Sequence, residues 1–205
     1  MKFLRVVGFP IFLLIGSLNA GAQSRNLSLR VDYSVNTPVG SFKDAISNTS
    51  WRGWNASLMY RINNKIAVGF ETGFQDFYGR YPRALYKLSD GSDISAVVTN
   101  SVQTIPLLAK AEYYFSPGAK VQPYAAIGVG GDLVTFDQYL GEFANQKSSL
   151  AFAAKPELGI FVPFKKSGEA GVNFSASYNY MPFNYNGLTN LNNWAGGIGI
   201  KFPLR

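Results

Sequence analysis

The sequence predicts an all-β protein: an eight-stranded antiparallel up-and-down transmembrane β-barrel over residues 23–205, behind a cleaved signal peptide at residues 1–22. Three observations predict it. Eight stretches alternate apolar with polar or small side chains, the period of two that sends successive residues to opposite faces of a strand. The connections between them alternate long (36–50, 79–97, 137–148, 183–190) with short (63–65, 116–120, 165–168), so long loops gather at one end and tight turns at the other. Charged residues make up 15% of the chain, against roughly 25% in soluble domains, while Gly and aromatics run high.

The leader differs from everything after it. Lys2 and Arg5 open the chain, Val6 to Ile15 form an apolar run, and Ala20-Gly21-Ala22 is a small-residue site for cleavage before Gln23. That run contains Pro10 and is too short to cross about 30 Å of hydrocarbon as a helix, so a cleaved leader is expected rather than an anchor. Its removal takes the formal charge from +7 to +5, which supports no nucleic-acid partner. The 205 residues suffice for one domain. The sequence has no Cys and no His, which excludes disulfides, thiolate metal sites and the commonest general base.

The first strand, residues 26–35, puts Leu27, Leu29, Val31, Tyr33 and Val35 on one parity and Ser28, Arg30, Asp32 and Ser34 on the other. The second, around 54–62, sets Trp54, Ala56, Leu58, Tyr60 and Ile62 against Asn55, Ser57, Met59 and Arg61. An Asn63-Asn64-Lys65 turn leads to a third, with Ile66, Val68, Phe70 and Phe74 opposite Ala67, Gly69, Glu71 and Gly73. A polar excursion over 79–97 precedes the fourth, in which Ile105 to Phe115 alternate with Leu108, Lys110, Glu112 and Tyr114. Near Pro106 the parity changes between Val102 and Ile105, which predicts a bulge. Ser116-Pro117-Gly118 then turns the chain.

The fifth strand, about 123–133, sets Ala125, Ile127, Val129 and Leu133 against Tyr124, Gly128, Gly130 and Asp132. After a loop to about 148, the sixth carries Leu150, Phe152, Leu158, Ile160 and Phe164 opposite Lys155, Glu157 and Gly159. Pro156 lies inside it and removes a ladder hydrogen bond with no compensation legible in the sequence. A turn over 165–168 leads to the seventh, with Val172, Phe174, Ala176, Tyr178 and Tyr180 on its apolar parity, and an Asn-rich loop leads to the eighth, Trp194 to Phe202.

Sorting by parity places charges opposite the apolar stripe by choice, so it carries little weight alone. Three other features decide that the apolar face meets lipid. The polar parity mixes isolated charges with Gly, Ala, Ser and Asn, the small residues that a narrow interior needs. Its charges balance, Arg30, Arg61, Lys110, Lys155 and Lys201 against Asp32, Glu71, Glu112, Asp132 and Glu157, as buried charges must. Aromatics gather near the strand ends: Trp51, Trp54, Phe77, Tyr78, Tyr180 and Trp194 at one, Tyr60, Tyr113, Phe115, Phe164 and Phe202 at the other. A soluble, lipocalin-like barrel with the apolar parity turned inward is the alternative.

The segments Thr104-Ile105-Pro106-Leu107-Leu108-Ala109-Lys110-Ala111-Glu112-Tyr113-Tyr114-Phe115, Val121 to Gly131, and Pro156-Glu157-Leu158-Gly159 resemble the outer membrane protein beta-barrel domain family of small Gram-negative barrels. The resemblance covers essentially the whole mature chain and implies an OmpA/OmpX-like barrel in the cell outer membrane, with both termini periplasmic. It also implies insertion by the barrel assembly machinery, which reads the last strand. Family members usually finish on an aromatic residue, whereas this chain continues Pro203-Leu204-Arg205.

Ten charges in so narrow a barrel read as a plug rather than a pore, with Arg61, Glu71, Lys110, Glu112 and Lys155 closing the lumen. The role expected is structural or surface-interacting, by a monomer in outer-membrane lipid, with an extracellular protein or surface as partner. The 79–97 excursion is the candidate contact: Asp90-Gly91 is a hairpin signal, with Tyr81, Leu85 and Tyr86 before it and Ile94 after it. Porin-like passage of a small solute or hydrophobic ligand is the alternative. No catalytic residue, cofactor or metal site is expected, and an enzyme is not predicted.

Overall fold

A computed structural model describes residues 26–87, 93–140, 143–165, 168–185 and 188–204. Among the described residues ten strands and one short helix follow in order: β1 (Leu27–Pro38), α1 (Ser41–Ala45), β2 (Ser50–Arg61), β3 (Ile66–Lys87), β4 (Asp93–Tyr114), β5 (Gln122–Leu140), β6 (Phe143–Pro163), β7 (Gly171–Asn179), β8 (Pro182–Tyr185), β9 (Leu188–Asn190) and β10 (Asn193–Pro203). Eight of them close into an antiparallel barrel in the order β1-β10-β7-β6-β5-β4-β3-β2, while β8 and β9 form a separate hairpin. Closure gives the wall's backbone groups a neighbouring strand on either side, which a bilayer demands. Both ends of the barrel chain, Leu27 and Pro203, lie at the end carrying the short turns.

Every apolar parity faces outward. Phe70 is 71% exposed, Leu150 69% and Leu158 65%, whereas Arg30, Glu71, Lys110 and Glu157 are buried inside. That arrangement is the reverse of a lipocalin-like barrel, so the soluble alternative falls. At the turn end, Asn63 Oδ1 accepts from the Lys65 and Ile66 amides, at 2.8 and 2.9 Å, and Gly118 turns the next connection at φ 81°.

Three expectations need correction. Residues 79–87 and 93–97 are strand rather than loop, in line with the hairpin signal at Asp90-Gly91: β3 and β4 remain paired as far as Lys87↔Asp93, with one irregularity between Tyr81 and Ala84, and residues 88–92 lie outside the described residues. Likewise β5 and β6 pair up to Leu140↔Phe143, consuming most of the expected 137–148 loop. No bulge forms at Pro106. The β3–β4 register is unchanged from Thr72↔Leu107 to Gln75↔Thr104, and Val102 simply points inward, fully buried. An apolar residue on the lumen parity had mimicked a parity change.

The two prolines sit in the ladder without shifting it. The Tyr114 amide donates to Lys65 O, so even-numbered β4 positions address β3, and Pro106 offers no N–H to Gly73. Ala154 and Tyr180 exchange both backbone bonds, so position 156 faces Tyr178, and Pro156 interrupts the β6–β7 ladder there.

Candidate functional site

Two layers fill the lumen. Toward the turn end is a knot of charges to which all eight barrel strands contribute. Arg30 of β1 lies at its centre: Nη1 reaches Glu112 Oε1 at 2.8 Å, Nη2 reaches Glu157 Oε1 at 3.0 Å, and Nε is 2.9 Å from Asp32 Oδ2. Lys110 Nζ bridges Glu71 Oε2 at 2.6 Å and Glu157 Oε2 at 2.7 Å, and Lys155 Nζ takes the other Glu71 oxygen at 2.7 Å. Ser57 of β2 and Asn173 of β7 donate to Glu71 and Asp32. Tyr124 of β5 donates to Glu157 at 2.7 Å, Tyr114 donates to Glu112 at 2.9 Å, and Lys201 of β10 donates to the Tyr114 hydroxyl at 2.9 Å.

Charges so far from water are tolerated only because each carboxylate in this knot meets several donors. Period-two alternation delivers them: Arg30 and Asp32, Lys110 and Glu112, Lys155 and Glu157 are each two residues apart and so share the inner face.

The structure brings together Arg30, Asp32, Glu71, Lys110, Glu112, Lys155 and Glu157 as ion pairs. Three of the ten charges stand apart. Lys201 bonds to a phenol, Arg61 is half-buried with its guanidinium 5.6 Å from the Tyr114 ring centre, and Asp132 has no ion pair among the described residues. Five-against-five pairing is therefore corrected: equal counts do not place partners within reach. Tyr114 and Tyr124, missed as participants, stand on the lumen parity of their strands, and that was the available signal.

Toward the loop end the lumen turns apolar. Phe42 of α1 packs edge-on against Phe77 at 4.8 Å, and Ile46, Val102, Val134, Phe136, Met181, Phe183, Leu188 and Leu191 complete one buried cluster. The expected 183–190 loop is the β8–β9 hairpin, folded inward. Ser41 Oγ ties α1 to it, accepting from the Thr189 and Asn190 amides at 3.2 Å. Phe77 is thus a plug residue, not part of an interfacial aromatic belt.

Of the proposed partner-binding residues, Tyr81 donates from its hydroxyl to Asp44 O at 2.9 Å. Leu85 pairs through its backbone with Ser95 and Tyr86 with Ile94. Asp90 and Gly91 lie outside the described residues.

A closed eight-stranded wall with an apolar exterior and a charged interior matches one family by sequence: residues 11–202 align with the outer membrane protein beta-barrel domain. The chain belongs to that family. Barrels of this family sit in the outer-membrane bilayer, which accounts for the apolar exterior. Comparison with curated proteins finds no relative by sequence. Among solved structures, Neisserial surface protein A is similar at 16% identity and a TM-score of 0.56, covering 87% of this chain and 97% of that one. The outer membrane protein OprG from Pseudomonas aeruginosa is similar at 18% identity and a TM-score of 0.48, covering 90% and 99%. The N-terminal barrel of OprF from the same organism follows at 12% identity and 0.47, covering 86% and 97%.

Proposed function

We propose that this outer-membrane barrel is closed and makes its contacts with other molecules at the loop end, as a structural or surface-interaction protein. The observation that carries the reading is a lumen filled twice over, by the ion-pair knot and by the apolar plug above it. Both termini then face the periplasm, residues 1–22 act as the cleaved leader, and β10 is the strand that the assembly machinery reads. Steady conductance in a planar bilayer at neutral pH would overturn the closure; none is expected.

The surface it offers is a sheet edge. Pairing of β2 with β3 stops at Gly53↔Gln75, and pairing of β6 with β7 stops at Ala154↔Tyr180, while β3 to β6 run on together toward the loop end. The β3 edge is partly covered, since Asn48 Nδ2 donates to Tyr78 O at 3.3 Å. Along β6, the Ala154–Tyr180 exchange fixes even-numbered positions as those whose backbone groups point away from β5. An extended peptide of an extracellular protein can add there as a strand, its main chain supplying affinity.

Ser148→Pro removes one such donor and leaves the β5–β6 ladder intact. The variant should fold normally, and expressing cells should adhere less to protein-coated surfaces; deletion of residues 84–95 should act in the same direction. Unchanged adhesion in both would refute the edge.

A second reading rests on the interrupted ladder at Pro156: a small apolar solute enters the loop-end plug and leaves sideways into lipid. Vesicle uptake of such a solute that is lost in Pro156→Ala would favour it over the closed barrel.

A further inference from the structure

Between the ion-pair knot and the apolar plug, the lumen wall carries polar residues that neither layer absorbs. Asn55 pairs with Gly73 and Pro106 with Asp132, and the β3–β4 register aligns Gly73 with Pro106, so the four make one row across β2, β3, β4 and β5. In the next row toward the loop end, Gln75 stands beside Thr104. All six residues are buried on the lumen face, where side chains converge on the axis.

Four oxygens in this patch, Asn55 Oδ1, Gln75 Oε1, Thr104 Oγ1 and Asp132 Oδ1, have no hydrogen-bond partner among the described residues. Their side chains belong to residues 5%, 2%, 0% and 3% exposed. Arg30 Nε is the other atom in that condition, and it lies 2.9 Å from Asp32 Oδ2. The oxygens therefore stand out as a set of one chemical kind on four adjacent strands. Asn55 fills the space over Gly73: a Cβ placed there would collide with the Trp54 carbonyl oxygen and lie 2.6 Å from Asn55 Oδ1, so only glycine admits that oxygen over β3.

The charges point the same way. Among the described residues, the buried cations are Arg30, Lys110, Lys155 and Lys201, and the buried carboxylates are Asp32, Glu71, Glu112, Asp132 and Glu157. With the half-buried Arg61 the cations also number five; Lys201, Arg61 and Asp132 enter no ion pair among the described residues, and of these three only Asp132 is an anion. The Ile105 amide donates to its carboxylate, and Lys155, the cation whose charge acts on it, is held by Glu71 at 2.7 Å. An unpaired carboxylate in a low-dielectric interior calls for a counter-ion or a proton.

We propose that Asn55, Gln75, Thr104 and Asp132 hold one desolvated alkali-metal cation, Na⁺ or K⁺, inside the lumen. Neutral and anionic oxygens are the ligands that hard cations take. One carboxylate neutralises one charge, whereas a divalent ion would carry an excess positive charge into the barrel. Val102 and Val134, on the plug side, shield the position from water. The site stabilises the closed wall, and it stands whether or not the sheet edge binds a partner.

The test uses the mature barrel folded in zwitterionic detergent, with thermal unfolding followed at one scan rate near neutral pH in sodium, potassium or choline chloride at equal ionic strength. Binding to the folded state alone raises the midpoint by about 3 to 6 °C per tenfold increase in the bound cation before saturation. Choline, too bulky to enter between the side chains that fill the lumen, gives no rise. Asp132→Asn should fold, because it removes the unpaired charge, and should lose the alkali dependence, whereas the exposed Arg52→Ala should keep it. Should Asp132→Asn fail to fold, Thr104→Val removes one ligand at similar volume and should weaken the response. Equal wild-type midpoints in the three salts, the result expected of a protonated Asp132, would overturn the proposal. So would an alkali response retained in Asp132→Asn.

Discussion

At the scale of the residue, burial decides what a charge is worth. Arg30 is 2% exposed and meets Asp32, Glu112 and Glu157 within 3.0 Å, so removing it strands three carboxylates in the lumen. Arg30→Leu should cost at least about 3–5 kcal/mol, read as a lower urea midpoint of the folded barrel in detergent micelles. Arg52 pairs with Asp76 at 3.3 Å, but its side chain is 75% exposed. Arg52→Ala should change stability by no more than about 1 kcal/mol, since water already solvates the guanidinium. Comparable losses in the two variants would mean that the interior is wet. The members of the knot were legible as residues on an inward parity. Their partners were not, because cross-strand register and side-chain reach are set by the closed wall: Lys201 finds Tyr114, and Asp132 finds no cation.

At the scale of the element, alternation gave each strand its facing, while turn chemistry gave only part of its length. Strands were expected to end where sequence turned polar, near 79 and 137, yet β3 to β6 continue well beyond. Polar strands are possible there because the wall at that height no longer meets hydrocarbon, so a paired backbone no longer needs an apolar face. The prolines show how far a ladder tolerates a missing donor. Pro156→Ala restores an N–H toward Tyr178, worth roughly 0.5–1.5 kcal/mol as a hydrogen bond and offset in part by the looser unfolded chain. Net stability should shift by under about 1 kcal/mol, and hydrogen exchange should find the new amide at position 156 protected. Rapid exchange there would show that β6 and β7 are splayed apart at this point.

At the scale of the whole molecule, lipid is the outer solvent and depth sets the cost of a charge. Ile198 points outward midway along its strand, between Tyr33 and Phe174, whereas Leu29 lies near the turn end opposite Phe202. Ile198→Arg should cost about 2–4 kcal/mol and Leu29→Arg about 0–1 kcal/mol when unfolding is measured in lipid vesicles. Equal costs would contradict either the facing or the depth.

The sequence by itself determined the all-β class, the eight barrel strands, which face of each meets lipid, and which residues line the axis. Those follow from the strict period of two, a local property that any one strand displays. Only the tertiary structure decided how the lumen is filled. The inward fold of α1 and the β8–β9 hairpin over Phe77 and Phe136, the convergence of three carboxylates on Arg30, and the isolation of Asp132 among neutral oxygens all depend on strands far apart in the chain. Closure and stagger bring those strands together, and no local pattern encodes either.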